Sequence, residues 1–358
     1  MTSASYNKIK VGFVGLSATS GWAATSLAPA LLQPSLQNTY DLVAISTTSE
    51  NSAAASADKY SKELGHPIKP YFGETSKIAS DPEIDLVAVS VKAPHHRETV
   101  LPVIEAKKDF FLEWPAGTST KETEEIAAAT RRQGVRELLA SGVIGTVRST
   151  NVIAHNPRET GFHAPFSKEI NAYSLEKKNG ASLLSIGIAH HLDTLTNVLG
   201  DFVSVTATNA TFYPTITILD NDGKPTGRTA PSQYPDHYAI TGFLRSGVLA
   251  NILWRSGYVS NEGRRQYIWE IEGEEGSIRL QSNELLGAFP GIAESELYLN
   301  GKKVEFETAG NTVESCRQAW KEFAERTESY ATIEDAVKHH RLIDAIETSA
   351  KEGRRITL

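Results

Sequence analysis

The sequence has a single cysteine, Cys316, in 358 residues, so no internal disulfide can form and the fold cannot depend on one. Long apolar runs are also missing. Nothing approaches the ~18–20 consecutive apolar residues that cross a bilayer, and no apolar h-region precedes the first polar interruption. Basic blocks are equally scarce: lysine and arginine come at most in pairs, such as Lys107-Lys108, Arg131-Arg132 and Arg264-Arg265, and the net charge is −7. Direct nucleic-acid binding needs concentrated positive charge to displace counterions, so it is not expected. These absences lead us to expect a protein without membrane contact, in the reducing cytoplasm.

What is present is an ordinary globular composition, 40% hydrophobic and 22% charged, on a length that accommodates two domains of ~100–200 residues. The first third alternates short apolar runs with helical stretches. Residues 9–15, 41–46, 85–91 and 110–113 read as strands, and 21–33, 52–64, 96–106 and 120–133 as the helices between them. Apolar strands separated by helices form a parallel sheet covered on both faces. From about Val143 the pattern changes. Strand-like runs follow one another at 146–154, 202–213, 238–243, 250–258, 267–272, 277–280 and 296–299, several joined by glycine turns. They predict a large open, mainly antiparallel sheet, interrupted by a helix over 182–199 and followed by helices over 312–327 and 332–351. The expected fold class is therefore α/β: a doubly wound parallel domain over 1–134, then an α+β domain over 135–358 whose C-terminal helix packs back on the first. The hinge is expected within 134–145.

The first strand ends in Gly12-Phe-Val-Gly15-Leu-Ser17-Ala-Thr-Ser-Gly21-Trp22. A dinucleotide site needs a strand turning tightly into a helix whose free N–H groups meet the pyrophosphate, and glycine lets backbone approach phosphate. The spacing departs from G-x-G-x-x-G, with Ser17 at the second glycine position and Gly21 one residue late. Its place between the first strand and first helix of a βα series still reads as a Rossmann cofactor turn. We assign Gly12, Gly15, Ser17, Gly21 and Trp22 to the cofactor. The second strand runs into Ser46-Thr47-Thr48-Ser49, with no carboxylate until Glu50. A carboxylate there would repel a 2′-phosphate, so Ser46, Thr47 and Thr48 favour NADP(H), with NAD(H) as the alternative; the segment also reads as a plain polar loop.

Several segments carry a family resemblance: Asp85-Leu-Val-Ala-Val-Ser-Val91 with His96, Phe110-Phe-Leu-Glu113-Trp114-Pro115-Ala-Gly117, residues 180–193, Glu272-Gly-Glu-Glu-Gly276-Ser-Ile-Arg-Leu280, and residues 332–353. Over nearly the whole chain they resemble the glucose-fructose oxidoreductase, inositol dehydrogenase and MocA-type family. The Gly-Phe-Val-Gly-Leu opening, Gly21-Trp22 and Glu113-Trp114 resemble its fungal branch, which includes the galactose-pathway repressor. The resemblance implies a Rossmann domain, a second domain with an open sheet, and NAD(P)-dependent redox chemistry, mostly on sugars and cyclitols. It also implies that Val91, Lys92, His96, Glu113 and Trp114 border the cofactor and that His190, with Asp193 three residues on, faces the substrate. Two departures stand out. The family's Glu-Lys-Pro lysine is replaced by Trp114, which cannot transfer a proton at neutral pH, and the aspartate expected four residues before His190 is Ile186. The chain is also shorter than the family after Val135, by on the order of twenty residues, about a strand and the first turns of a helix.

Two residues are therefore candidates for catalysis. Lys92 directly follows the third strand, where open parallel sheets bind ligands, though a solvent-facing lysine reads equally well. His190 has the ~6.5 pKa that suits proton transfer, the alternative being a core or capping histidine. His191 points ~100° away on the helix and reads as structural. Tyr173 and Trp254 are candidate substrate-wall aromatics, or simply core. No histidine has a close helical or cysteine partner for zinc, so no metal is expected. The expected function is NAD(P)(H)-dependent oxidoreduction of a sugar-like or other small alcohol or carbonyl by hydride transfer, in a homodimer or larger assembly formed through the open sheet face. The alternative is a non-catalytic NAD(P)-binding regulator of a protein partner.

Overall fold

The computed structural model describes residues 8–123, 144–261, 263–289, 295–304, 312–326 and 330–358. The expected hinge, most of the 120–133 helix and the shortened stretch after Val135 lie outside these residues. The chain forms two compact units, Met1–Glu137 with Thr312–Ala336, and Leu138–Asn311 with Val337–Leu358.

In the first unit, strands β1 (Ile9–Val14), β2 (Tyr40–Thr47), β3 (Lys69–Phe72), β4 (Leu86–Val89) and β5 (Asp109–Leu112) form a parallel sheet in the order β3-β2-β1-β4-β5. Alternation along β1 sends Val11 and Phe13 into one apolar layer and Val14 into the other, so both faces are covered. The helices are α1 (Ala28–Leu31), entered through a π-turn at Ala23–Leu27, then α2 (Glu50–Leu64), α3 (Ser76–Ala79) and α4 (His96–Glu105). Ser49 caps α2: its hydroxyl accepts the Ser52 N–H while the Ser52 hydroxyl accepts the Ser49 N–H. Connections leave β1 toward β2 on one side and return through β4 on the other. The strand order therefore reverses between β1 and β4, where open sheets of this kind bind ligands beyond the strands' carboxyl ends.

The second unit holds β6 (Val147–Asn156), β7 (Phe166–Lys168), β8 (Phe202–Ala210), β9 (Thr215–Leu219), β10 (Pro225–Pro231), β11 (His237–Leu244), β12 (Leu249–Ser256), β13 (Tyr267–Gly273), β14 (Ser277–Ser282), β15 (Glu296–Leu299), β16 (Lys302–Val304) and β17 (Ile356–Thr357). Nine of them form one sheet, ordered β16-β15-β14-β13-β6-β12-β11-β8-β17. All its pairings are antiparallel except β6 with β12, which is parallel. The register sets Tyr238, Trp254, Ala154 and Tyr267 in one row, and all four are buried. Beneath that row lie the π-turn Leu184–Ile188 and α5 (Ala189–Leu199), with His191 against Tyr267 and Gly187 against Trp254. The other face carries exposed Ala239, Thr241, Asn251 and Ile153 and is open, as expected. The small sheet β10-β9-β7 was not anticipated: its strands are short and bounded by proline, and β10 is almost wholly exposed.

The chain then returns to the first unit through α6 (Thr312–Glu325), before α7 (Ile333–Glu352). Trp320 of α6 is 1% exposed. It stacks on Phe111, meets Tyr40 edge-on, donates from Nε1 to the Leu27 carbonyl, and accepts the Tyr40 hydroxyl at its own carbonyl.

Candidate functional site

At the end of β1 the Gly15 N–H donates to the Ser46 carbonyl at 2.9 Å, joining β1 to β2. Gly15 has φ +92°, and a Cβ there would lie 1.9 Å from the Ser90 carbonyl oxygen, so this crossing under β4 admits only glycine. Gly21 has φ +110° with nothing within 4 Å of where its Cβ would point. Between them, Ser17 Oγ accepts the Thr19 N–H and lies 3.1 Å from the Thr19 hydroxyl, while Lys59 of α2 donates to the Ala18 carbonyl at 3.0 Å. Trp22 is 45% exposed. This backbone-lined turn with open space at Gly21 fits a dinucleotide pyrophosphate. Gly12 has a different job: its missing Cβ leaves room for the Ile78 and Ile84 side chains, so it serves packing.

The hydroxyls after β2 are less available than their sequence implies. Ser46 is buried, and the Thr47 hydroxyl bonds to the Ser49 carbonyl and the Ser52 hydroxyl of the α2 cap. Thr48 remains exposed.

Beyond β4 and β5, side chains tie two loops together. Ser90 donates to Glu113 Oε1 at 2.6 Å. Burial pushes the Glu113 carboxyl up to a pKa of about 7, against the Ser90 hydrogen bond. Burial also raises the Cys316 thiol to about 11, with the Glu113 charge adding to it. His96 is buried, and its ring nitrogens lie 2.7 Å from the Pro115 carbonyl and 2.9 Å from the Val91 carbonyl. Burial lowers its pKa on balance, while the two carbonyls pull upward. Buried between these two carbonyls, with one N–H to donate in its neutral form, the His96 ring latches together the loops after β4 and β5, which are the loops expected to border the cofactor. Val91 packs near Gly15, and Trp114 is half-buried beside the latch. Lys92 is exposed at the head of the Ala93–His95 turn.

In the second unit, His190 is the second residue of α5 and is solvent-exposed. Crowding by protein nevertheless pushes its pKa below the ordinary histidine value, with Asp193 pulling the other way. The Asp193 carboxylate lies 2.7 Å from His339 Nε2. Tyr173 is half-buried in the Glu169–Leu175 turn, its carbonyl accepting from Asn179. Trp254, expected as a substrate wall, is 0% exposed and packs edge-on to Phe289; it belongs to the core.

Sequence reasoning missed Ser90 and Lys59. Ser90 had a visible signal, a lone polar residue closing an all-apolar strand; Lys59 had none, because its partner lies 41 residues away.

Residues 9–141 match the oxidoreductase family with an NAD-binding Rossmann fold, and residues 133–282 match the Gal80p C-terminal domain. The chain is 29% identical to dehydrogenase aclE of Aspergillus oryzae, over 97% of each chain. It is 26% identical to the galactose/lactose metabolism regulatory protein GAL80 of Saccharomyces cerevisiae, over 82% of this chain and 71% of that one. The crystal structure of a super-repressor mutant of Gal80p from Saccharomyces cerevisiae has the same fold, with a TM-score of 0.84 at 22% identity and 98% coverage of both chains.

Proposed function

From the match of residues 9–141 to the oxidoreductase family with an NAD-binding Rossmann fold and of residues 133–282 to the Gal80p C-terminal domain, we propose that the chain is an NADP(H)-preferring oxidoreductase of a sugar-like or other small alcohol or carbonyl. The observation that carries this reading is the turn from Gly15 to Gly21 at the β1–β4 reversal, where Gly15 admits no side chain and nothing stands within 4 Å of the Gly21 Cβ position. Collinearity with a dehydrogenase over 97% of both chains favours an enzyme over a binding protein.

The residues that would hold the dinucleotide are Gly15, Ser17, Gly21 and Trp22, exposed Thr48 at the adenosine ribose, and Val91, Lys92, Glu113 and Trp114 on the nicotinamide side. When bound, the nicotinamide supplies or accepts the hydride. The protein must handle the accompanying proton. Either His190, whose pKa lies below the ordinary histidine value, takes the proton of an alcohol and returns it to an alkoxide, or Lys92 handles the substrate oxygen in its place. Tyr173 is retained as a substrate contact. Exposed Ile153, Phe243 and Leu249 on the open sheet face support a homodimer or larger assembly.

A second reading is a non-catalytic dinucleotide-binding regulator of a protein partner. It is favoured by Trp114 in the family's lysine position, Ile186 in its aspartate position, and the Gal80 relatives. Titration with NADPH and NADH, followed by protein fluorescence, should show tighter NADPH binding; binding of neither removes both readings. NADPH consumption against sugar lactones, ketoses and aromatic carbonyls should be lost in His190→Ala and Lys92→Ala. Turnover surviving both substitutions overturns the residue assignment, and dinucleotide binding without turnover supports the regulator.

A further inference from the structure

One end of the open face of the nine-stranded sheet gathers positive charge that the reading above does not use. Parallel register of β12 on β6 sets Arg255 beside His155, and antiparallel register with β11 sets His237 on Arg255's other side. A terminal Arg255 nitrogen donates to His155 Nε2. A guanidinium has no lone pair to offer, so Nε2 is the acceptor and neutral His155 carries its proton on Nδ1. Burial, Arg255, Arg264 and His237 together push the His155 pKa down to about 4, which keeps the ring neutral at physiological pH.

His155 is 5% exposed, and its Nδ1–H finds no hydrogen-bond acceptor among the described residues; nor does the buried Nε–H of Arg255. Buried donors without acceptors are costly and rare, so such a pair calls for a ligand. A second guanidinium, Arg264, lies 5.2 Å from the Tyr258 ring centre, with Arg255 5.8 Å from the same ring. Among the described residues, the carboxylates of Asp236 and Glu159 are already engaged. Asp236 accepts the N–H groups of Phe212 and Tyr213 and faces His237 Nδ1 at 2.6 Å, and Glu159 accepts the Ser260 N–H. Arg255, Tyr258 and Arg264 are each partly exposed, on the sheet face through which the assembly proposed above would form.

We propose that Arg255, His155 and Arg264 form a binding site for a small anion of the phosphate or carboxylate type, with Arg255 and His155 Nδ1 donating to its oxygens and Arg264 supplying charge. Guanidinium geometry suits such oxygens, and the depth of the two donors favours a compact ligand.

The test is calorimetric titration of the full chain with inorganic phosphate and, separately, citrate, in a buffer containing neither. Saturable binding of one anion per chain is expected, weakened about tenfold or more in Arg255→Gln and in Arg264→Gln, with NADPH affinity unchanged. Should Arg255→Gln fail to fold by circular dichroism, Arg264→Gln alone decides. Absence of saturation by either anion in the millimolar range overturns the proposal. So does dissociation of an assembly by Arg255→Gln, seen by sedimentation, when neither anion binds the wild type; the donors would then meet a carboxylate of a second copy.

Discussion

Ser90 Oγ donates to Glu113 Oε1 at 2.6 Å, joining the carboxyl ends of adjacent parallel strands through their side chains. The bond stabilises the carboxylate, yet burial outweighs it and Glu113 titrates at about 7 against an ordinary 4.5. Between those values the folded chain keeps a proton that the unfolded chain has released. Stability therefore declines as pH rises through that window and stays lower above it. Glu113→Gln should remove this slope and raise stability at pH 8 by on the order of 1–3 kcal/mol, measured by urea denaturation across pH. Ser90→Ala should move the Glu113 titration higher still, read from its carboxyl NMR signal.

His191 gives a slope of the opposite sign. It is 0% exposed, burial pushes its pKa down to about 3, and neither ring nitrogen has a hydrogen-bond partner among the described residues. Below pH 6.5 the unfolded chain takes up a proton that the native chain refuses, so this histidine lowers stability as the medium is acidified. His191→Phe should flatten that acid dependence and leave stability at pH 7 unchanged or improved, since it removes polar atoms that lack partners. A loss of more than about 2 kcal/mol at pH 7 would show that the ring nitrogens do useful bonding.

Gly15→Ala should be among the most damaging small substitutions. It adds a Cβ 1.9 Å from a backbone oxygen and forces φ +92° on a residue that resists it. We expect a loss of about 3 kcal/mol or more and no measurable dinucleotide binding. Gly21→Ala, with open space around it, should fold while weakening the dinucleotide, as thermal melts with and without NADPH would report.

His96→Leu should free the loops after β4 and β5 from each other. The Val91 and Pro115 carbonyls lose their shared partner, and stability should fall by about 2 kcal/mol. Dinucleotide affinity should drop as well. Unchanged affinity would mean that the latch is irrelevant to binding.

The sequence made β1, β2, β4 and β5 legible because buried parallel strands are apolar along their length. β3 was invisible: Lys69-Pro-Tyr-Phe72 is an edge strand with mostly exposed side chains and no apolar run. The glycine turn was readable because backbone needs dictate its residues. The Glu113 environment was not, since its partner Ser90 stands 23 residues away, and His155 meets Arg255 across 100 residues only through a parallel pairing that no local pattern encodes. Trp254 was legible as a strand residue, with substrate wall and core both open, because alternation identifies two faces without saying which one a helix will cover; the structure puts it in the core.

The return of α6 to the first unit has a consequence for biosynthesis. Trp320 fills the layer formed by Phe111, Tyr40 and Leu27, so the nucleotide-binding fold is closed by residues translated some two hundred positions after its last described strand, Asp109–Leu112. During synthesis α1 and α2 can already cover most of that layer, and the place of Trp320 between Phe111, Tyr40 and Leu27 stays unfilled until α6 is made. A product cut anywhere before α6 would leave that place empty, so the first unit reaches its full packing only when α6 docks.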